Sequence, residues 1–279
     1  MKRIRVNRYN IVTIIMMTFL LYVVFFFTLK RNDNNNLLYN TNFIGHAFYG
    51  IDNIDYTNSK EAFLEGYNNG IKIMEVDFLF TSDKELVLNH FWENSIQDSS
   101  TSFLSKKVVG KYTPMNLDDL LLLMSRYKDI YIVIDTKESE YDHGNSLIDV
   151  YKEIINKTIA YDESLLDRFI PQIYDFNSYN EINKLYNFKN SMFSIYKFAI
   201  NNNTNLIKFI TYYCLFYDID SIVIPYEYIE YGIINKDIIE FIKSKNINAF
   251  INTINDKNIY NDLKNMGITG VYTDYLNDF

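Results

Sequence analysis

Short apolar runs alternate with amphipathic segments along most of the chain. Nine of the runs are rich in Ile, Val, Phe and Tyr and bounded by polar residues, which is the pattern of short strands. Several are apolar at consecutive positions, as expected for strands covered on both faces of a parallel sheet. The predicted strands are residues 43–46, 73–80, 86–90, 130–135, 169–173, 192–196, 221–225, 249–253 and 270–273.

Helical periodicity fills the segments between these strands. Ser59 precedes one helical stretch as a cap, and Gly70 and Gly267 each follow one, in agreement with the preferred residues at helix ends. The predicted helices are residues 59–69, 117–127, 145–161, 179–186, 205–213, 236–245 and 257–266.

About eight strand–helix units follow one another in residues 42–279, without an internal linker. This order predicts an α/β fold, a (β/α)8 TIM barrel in a single domain. A doubly wound open sheet is the alternative, but no glycine-rich phosphate loop follows the first predicted strand.

The start of the chain has a different pattern. Residues 11–29 carry no charge, and as a helix they would extend roughly 28 Å, close to the thickness of the bilayer hydrocarbon. No small-residue cleavage site follows, so an uncleaved transmembrane signal anchor is favoured over a cleaved signal peptide. More basic residues precede the apolar run than follow it, namely Lys2, Arg3, Arg5 and Arg8 against Lys30 and Arg31.

This asymmetry places residues 1–10 in the cytoplasm. The chain is therefore predicted to cross the membrane once, with residues 30–41 as a tether and the barrel outside the cytoplasm.

Composition excludes some classes of partner and of site. The formal net charge is −8 and no basic stretch lies beyond the first residues, which argues against nucleic acid. The single cysteine, Cys214, excludes an internal disulfide and a cysteine zinc cluster.

Acidic side chains stand at the ends of two predicted strands. Glu75 and Asp77 are two residues apart, so they point to the same side of a strand, and Asp135 ends the run "YIVID". Three carboxylates at one barrel mouth would repel one another unless a divalent cation lay between them. Ligands that are all oxygen favour Mg²⁺ or Ca²⁺ over zinc.

Two of the three histidines, His46 and His90, also lie at predicted strand ends, whereas His143 lies in a polar loop. Phosphodiester cleavage needs a base, an acid and positive charge near the phosphoryl oxygens. His46 and His90 are candidates for the first two, and Lys137 with the cation for the third. The sequence has no G-x-S-x-G motif for a serine nucleophile.

Other side chains near strand ends are candidates for the wall of the pocket. Gln172 and Tyr226 follow this pattern, and Trp92 could contact a headgroup or serve as core packing. Asp274, at the end of the last strand, is interpreted as either a loop cap or a substrate contact.

Four motifs together resemble a known family. "FIGHAF", "TNSKEAFLEGYNNGIKIMEVDFLFTSDKELVLNH", "IVIDTK" and "GITGVYTDYL" are similar to sequences of the glycerophosphodiester phosphodiesterases. This group belongs to the superfamily of barrel phosphodiesterases that includes phosphatidylinositol-specific phospholipase C and sphingomyelinase D. The resemblance covers about residues 42–279.

The resemblance implies roles for specific residues. It makes His46 and His90 the acid/base pair, with Glu75, Asp77 and Asp135 as metal ligands. Lys137, two residues after Asp135, would contact the phosphate, and this Asp-x-Lys form is similar to the sphingomyelinase D branch.

Two positions depart from the family pattern. Ala47 stands where the family usually has Arg after the first histidine, and Thr57 stands where it usually has a metal-binding Glu.

The sequence thus predicts a membrane-anchored, metal-dependent phosphodiesterase. Its substrate would be a glycerophosphodiester, a phospholipid headgroup or a related surface phosphodiester. The alternatives are a phospholipase D-type lyase that leaves a cyclic phosphate, and an inactive barrel that serves as a binding component.

Overall fold

The computed structural model describes residues 15–19, 37–93, 96–137, 146–196, 203–209, 214, 217 and 219–277. The chain divides into two compact units, Met1–Tyr39 and Asn40–Phe279. Apart from the helical residues 15–19, the predicted anchor lies outside the described residues. Among the helices that are described, none is both long and apolar enough to cross a membrane.

The second unit is a closed parallel barrel. Its strands are β1 (Phe43–Gly45), β2 (Ile73–Phe80), β3 (Leu86–Leu88), β4 (Tyr131–Thr136), β5 (Phe169–Ile173), β6 (Met192–Ser194), β7 (Ser221–Pro225), β8 (Asn248–Asn252) and β9 (Gly270–Thr273). Strand β1 pairs with both β2 and β9, so the sheet joins its own first and last strands, in the order β1-β2-β4-β5-β6-β7-β8-β9. The predicted TIM barrel is confirmed.

Helices connect the strands, and each predicted helix is present, with ends shifted by a few residues where the structure describes them; residues 210–213 of the predicted helix 205–213 lie outside the described residues. Two short helices, Ser100–Ser105 and Tyr226–Glu230, and the 3₁₀ segments Leu37–Asn40 and Glu163–Arg168 were not predicted. The α-helices after residue 40 are α1 (Lys60–Asn68), α2 (Ser100–Ser105), α3 (Leu117–Arg126), α4 (Leu147–Asp162), α5 (Phe176–Leu185), α6 (Asn203–Lys208), α7 (Tyr226–Glu230), α8 (Lys236–Ser244) and α9 (Lys257–Met266).

Strand β3 corrects one expectation about the barrel. His90 was expected at the end of a barrel strand, but β3 runs antiparallel to the outer half of β2 and forms a hairpin with it. The turn is built by Thr81, whose Oγ1 donates to Asp83 Oδ1 at 2.6 Å and accepts from the Glu85 backbone N at 3.0 Å. The hairpin returns the chain to the barrel mouth, because the backbone N of Asn89 donates to Asp77 O at 3.0 Å.

The alternation along β2 separates the core from the barrel interior. Met74, Val76 and Phe78 belong to the main hydrophobic core, which the sheet shares with helices such as α3 and α4. Since side chains alternate across a strand, Glu75 and Asp77 point to the opposite side, into the barrel.

The end of β1 needs a glycine to turn. A Cβ on Gly45 would lie 1.9 Å from Phe48 O, so no larger residue fits. Ala47 and Phe48 follow with φ of 46° and 73°, the left-handed region. The chain therefore folds back directly after the strand, and His46 is fixed at the mouth of the barrel.

Candidate active site

The three predicted acidic ligands meet at the carboxyl ends of β2 and β4. The two strands are neighbours, and their register sets Asp77 opposite Asp135. Glu75 precedes Asp77 by two residues on the same face of β2. One ligand oxygen of each of the three side chains lies within 4.8 Å of the others. Glu75, Asp77 and Asp135 are 2%, 1% and 6% exposed, so the barrel withdraws all three from water.

Each carboxylate has one oxygen held by a neutral donor. Glu75 Oε2 accepts from the Ala47 backbone N at 2.9 Å. Asp77 Oδ2 accepts from Asn58 Nδ2 at 2.8 Å, and Asn58 Oδ1 accepts in turn from the Asp77 backbone N at 3.1 Å.

Asp135 Oδ1 accepts from the Tyr174 hydroxyl at 2.7 Å. These bonds fix the orientation of the three carboxylates.

Lys137 contacts the second oxygen of two of these carboxylates. Its Nζ lies 3.2 Å from Asp77 Oδ1 and 2.9 Å from Asp135 Oδ2, and its side chain is 13% exposed. Glu75 Oε1 is buried and has no hydrogen-bond partner among the described residues. A buried carboxylate oxygen without a donor is costly, so this atom marks a place for a cation.

Burial and the neighbouring charges move the pKa values of this cluster apart. Burial, followed by the charge of Asp77, raises the pKa of Glu75 well above its usual range. Burial also disfavours the charged form of Asp77, but the Lys137 charge, the His90 charge and the Asn58 hydrogen bond outweigh it and lower the pKa of Asp77. The pKa of Lys137 is raised, since the surrounding carboxylates overcome the effect of its burial.

This cluster fits a divalent cation. One oxygen of each of the three carboxyl groups lies within 4.8 Å of the others, and Glu75 Oε1 lacks a donor among the described residues. The donor set of Glu75, Asp77 and Asp135 contains oxygen alone, which favours Mg²⁺ or Ca²⁺.

His46 is held from behind by the last strand. Its Nδ1 lies 2.9 Å from Asp274 Oδ1, and since a carboxylate can only accept, Nδ1 carries the hydrogen and donates it. Asp274 Oδ2 accepts from Asn255 Nδ2 at 2.7 Å, and its backbone N donates to Asn255 Oδ1 at 2.8 Å. Nε2 of His46 is thereby left as the atom that can exchange a proton with a ligand.

The same contacts set the charge of His46. Burial lowers its pKa, but the hydrogen bond to Asp274 and the charges of Glu75, Asp274 and Asp77 outweigh burial and raise the pKa from 6.5 to about 9. Asp274 was interpreted from the sequence as either a loop cap or a substrate contact. In the structure its side chain bonds to His46 and to Asn255, so its main role is to position the histidine.

His90 lies across Tyr56 from His46. The Tyr56 ring packs edge-on against both imidazoles, with ring centroids 4.4 Å from His46 and 4.6 Å from His90. Burial, with the charges of Asp274, Asp77 and Glu75, raises the pKa of Tyr56 to about 12, so its hydroxyl keeps its proton at neutral pH.

A cavity of about 280 Å³ joins these groups. Both histidines, Tyr56, Glu75, Asp135 and Lys137 line it. Its wall also includes Gln172, as predicted, together with Ser194 and Asn252.

A chain of hydrogen bonds crosses the barrel along the wall of the cavity. Tyr272 OH donates to Gln172 Oε1 at 2.7 Å, and Gln172 Nε2 donates to Tyr174 OH at 2.7 Å. Tyr174 then donates to Asp135, so strands β9 and β5 both contribute to the position of a β4 carboxylate.

Two of the predicted pocket residues lie elsewhere. Trp92 is 5% exposed and lines a neighbouring groove, where its ring packs on Phe103 at a centroid distance of 5.6 Å. Tyr226 begins helix α7 and packs against the hydrophobic core, and it is not among the side chains that line the 280 Å³ cavity. His143 lies outside the described residues.

Sequence reasoning missed three residues that hold the site together. Asn58 lies in a loop, 19 positions from Asp77, and carries no charge that would draw notice. Tyr174 directly follows β5, so its place after a barrel strand was a usable signal. The sequence gives no such signal for Asn255, because its role is to bind Asp274, a contact that only the folded barrel brings about.

The two departures from the family pattern have visible consequences. Ala47 offers no side chain to a phosphate, but its backbone N holds Glu75. Thr57 is buried, and its Oγ1 lies 3.0 Å from Ser59 Oγ. The ligand cluster therefore consists of three carboxylates among the described residues.

Comparison with known proteins rests on structure. No family model matches the sequence, and neither does any curated protein. The structure is similar to a glycerophosphodiester phosphodiesterase from Parabacteroides distasonis, with a TM-score of 0.62 and 15% identity over 84% of this chain and 93% of the other. The protein has the fold of the glycerophosphodiester phosphodiesterases.

Two further solved structures agree. A glycerophosphodiester phosphodiesterase from Thermotoga maritima gives a TM-score of 0.58 and 20% identity, over 83% of this chain and 93% of the other. A phosphodiesterase from Oleispira antarctica, in complex with the product sn-glycerol-3-phosphate, gives 0.60 and 15% identity over 84% and 93%. At these identities the shared property is the glycerophosphodiester phosphodiesterase fold.

Removal of one carboxylate tests the cation site. In Glu75→Gln, we expect the affinity for Mg²⁺ and Ca²⁺, measured by isothermal titration calorimetry, to fall at least about tenfold. The metal-free variant should be no less stable than the parent, because the raised pKa of Glu75 shows that its charged form is disfavoured there. Cation at a hundredfold excess over Kd should stabilise the parent by about 2.7 kcal/mol and the variant by less.

Glu240→Gln is the matched control, since Glu240 is 61% exposed on helix α8. Equal cation affinity in the parent and Glu75→Gln would contradict the assigned ligand set.

Asp274→Asn tests how His46 is held. In the chelated protein, the pKa of His46, followed by NMR of the imidazole, should fall from about 9 toward 6.5 because the hydrogen bond and the charge that raise it are lost. The raised pKa stabilises the fold fully below pH 6.5, and this contribution disappears as the pH rises through 9. The variant should therefore show a smaller loss of unfolding free energy between those pH values.

Asp262→Asn, at an exposed position on helix α9, serves as the control and should leave the titration unchanged. An unaltered His46 pKa in Asp274→Asn would show that the contact does not set the charge of the imidazole.

Proposed function

We propose that the barrel is a metal-dependent phosphodiesterase that hydrolyses a glycerophosphodiester or a related phosphodiester. One observation carries the proposal: a buried cluster of three carboxylates at the carboxyl end of the barrel borders a cavity that Glu75, Asp135, a lysine and two histidines line. The fold shared with solved glycerophosphodiester phosphodiesterases supports the reaction class. The bound sn-glycerol-3-phosphate of the Oleispira antarctica protein supports a glycerol phosphate as one product.

Charge in the cavity suits a phosphodiester anion. A cation held by Glu75, Asp77 and Asp135 would supply positive charge to the phosphoryl oxygens. Lys137 lines the same cavity and keeps its proton, since its pKa is raised. Its ammonium can therefore contact a phosphate oxygen while remaining paired with Asp77 and Asp135.

The two histidines are placed for proton transfer on opposite sides of Tyr56. Attack of water on phosphorus forms one P–O bond and breaks the bond to the leaving alcohol. One imidazole accepts the proton of the water, and the other donates a proton to the leaving oxygen. Asp274 holds the Nδ1–H of His46, so that this imidazole acts through Nε2.

Single substitutions of the two histidines test this function. We expect His46→Ala and His90→Ala each to lower kcat on glycerophosphocholine with Mg²⁺ or Ca²⁺ by at least about 10²-fold, because each loses a proton-transfer step. Phosphorus NMR of the products shows whether glycerol phosphate or a persistent cyclic phosphate accumulates. The second result would support the lyase alternative.

His143→Ala removes the one other histidine of the chain and is the control. If the parent turned over no phosphodiester while still binding the cation, the barrel would be a binding component. Activity that survives in His46→Ala and His90→Ala would disprove the assigned pair.

We also propose that residues 11–29 anchor the protein in a membrane, with residues 1–10 in the cytoplasm and the barrel outside it. The uncharged run and the surplus of basic residues before it support this arrangement. Within that run, the helical residues Ile15, Met16, Met17 and Phe19 are 59–68% exposed, which is unfavourable in water and suited to lipid.

Fractionation tests the anchor. The full chain should remain in the membrane pellet after an alkaline carbonate wash, whereas a chain that begins at residue 37 should be released. Protease added outside should digest the barrel of the full chain. Equal release of both chains would contradict the anchor, and a protected barrel would contradict its orientation.

A further inference from the structure

The ring of Tyr56 contacts both histidines of the candidate active site. Its plane makes an angle of 82° with the imidazole of His46 and 69° with that of His90. The centroid distances of 4.4 Å and 4.6 Å are at the short end of the range for edge-to-face aromatic pairs. The two imidazoles can therefore be no farther apart than the sum of these distances, and each of them packs on the same ring.

Core packing does not account for Tyr56. Its side chain is 43% exposed, and it is a member neither of the main hydrophobic core nor of the smaller cluster around Trp92. It lines both the cavity beside the acidic cluster and the larger groove next to it. The contacts that place this ring are thus those of the site.

The backbone at Tyr56 has an uncommon conformation. Its φ is 54°, in the left-handed region, where bulky residues are rarely found. In the same loop, Asp52, Asn53 and Asn58 have φ of 51°, 62° and 45°. Such conformations persist where the surrounding contacts impose them, and they concentrate at functional sites. The loop therefore sets the direction in which the Tyr56 side chain points.

The barrel holds this loop on both sides of Tyr56. Before it, the backbone N of Gly50 donates to Asp274 O at 2.7 Å. After it, Asn58 Nδ2 donates to Asp77 Oδ2 at 2.8 Å. Strands β9 and β2, which both pair with β1, thus fix the position of the loop that follows β1.

The proposed reaction requires the two imidazoles to act at separate points. The attacking and leaving oxygens lie roughly in line through phosphorus, so the base and the acid must reach opposite sides of it. Two imidazoles in direct contact would hydrogen-bond to each other instead of to the substrate. Since burial and the nearby carboxylates raise the pKa of Tyr56 to about 12, its ring stays neutral while the imidazoles titrate.

We propose that Tyr56 is a positioning residue whose ring keeps His46 and His90 apart and fixes the direction of both imidazoles toward the phosphodiester. The inference rests on the proposed function, to which it adds a side chain that acts through the two histidines. The aromatic ring performs this role, and the hydroxyl is not required for it.

Two substitutions separate the ring from the hydroxyl. Tyr56→Leu removes the ring, and on glycerophosphocholine with Mg²⁺ it should lower kcat at least about tenfold while KM changes by less than about twofold, because misplaced proton-transfer groups slow the chemical step. Tyr56→Phe keeps the ring and should retain most of the parent kcat. Tyr231→Leu, at a side chain that is 73% exposed and lines neither cavity, is the matched control and should change neither constant.

A measurement without turnover tests the imidazoles directly. In the full chain in detergent, with chelator present, carbon NMR relaxation of labelled histidine rings gives an order parameter for each imidazole. Tyr56→Leu should lower the order parameters of His46 and His90, whereas Tyr56→Phe should leave them at the parent values. The affinity for Mg²⁺, measured by calorimetry, should be the same in all three proteins, because the carboxylates and their hydrogen bonds remain.

Unchanged order parameters in Tyr56→Leu would overturn the proposal. An equal loss of kcat in Tyr56→Phe and Tyr56→Leu would also overturn it and assign a substrate contact to the hydroxyl. Loss of Mg²⁺ affinity in Tyr56→Leu would count against it too, since Tyr56 would then support the loop as a whole. If the parent turned over no phosphodiester, the proposed function would fail, while the order parameters would still decide whether Tyr56 positions the imidazoles.

Discussion

The burial of three carboxylates within 4.8 Å of one another is the constraint on which the rest of the site depends. Two unit charges 4 Å apart interact by about 4 kcal/mol at an effective dielectric constant of 20, which is a large part of the stability of a typical domain. Contacts within the barrel offset this repulsion between the carboxylates. Ala47, Asn58 and Tyr174 each hold one carboxylate oxygen, and Lys137 lies beside two of the others. Glu75 Oε1 is left without a donor among the described residues, and this atom and the closeness of the three carboxyl groups fit the cluster to a cation.

Closure of the barrel makes the histidine arrangement possible. His46 follows the first strand and Asp274 follows the last, 228 positions away, yet β1 and β9 are neighbours in the closed sheet. The contact that orients the imidazole therefore exists only when the barrel is complete. The hydrogen bonds from Tyr272 through Gln172 to Tyr174 depend on closure in the same way, because they join opposite sides of the barrel.

The β2–β3 hairpin extends the site beyond the barrel. It carries the chain above the mouth and returns it so that His90 faces His46 across Tyr56. Trp92 follows His90 and lies in the adjoining groove. The hairpin thus lies between the small cavity beside the acidic cluster and the larger groove next to it.

The sequence by itself determined the order of the strands and helices, the barrel, and the side of β2 on which Glu75 and Asp77 lie, because periodicity is a local property. It also predicted that these acids, Asp135 and two histidines would gather at strand ends. Tertiary structure alone decided that Asn58, Tyr174 and Asp274 hold them, that Trp92 lies in a second cavity, and that Tyr226 packs on the core. The physical reason is that a hydrogen bond between distant residues depends on strand register, closure and side-chain direction together, and local sequence encodes none of these.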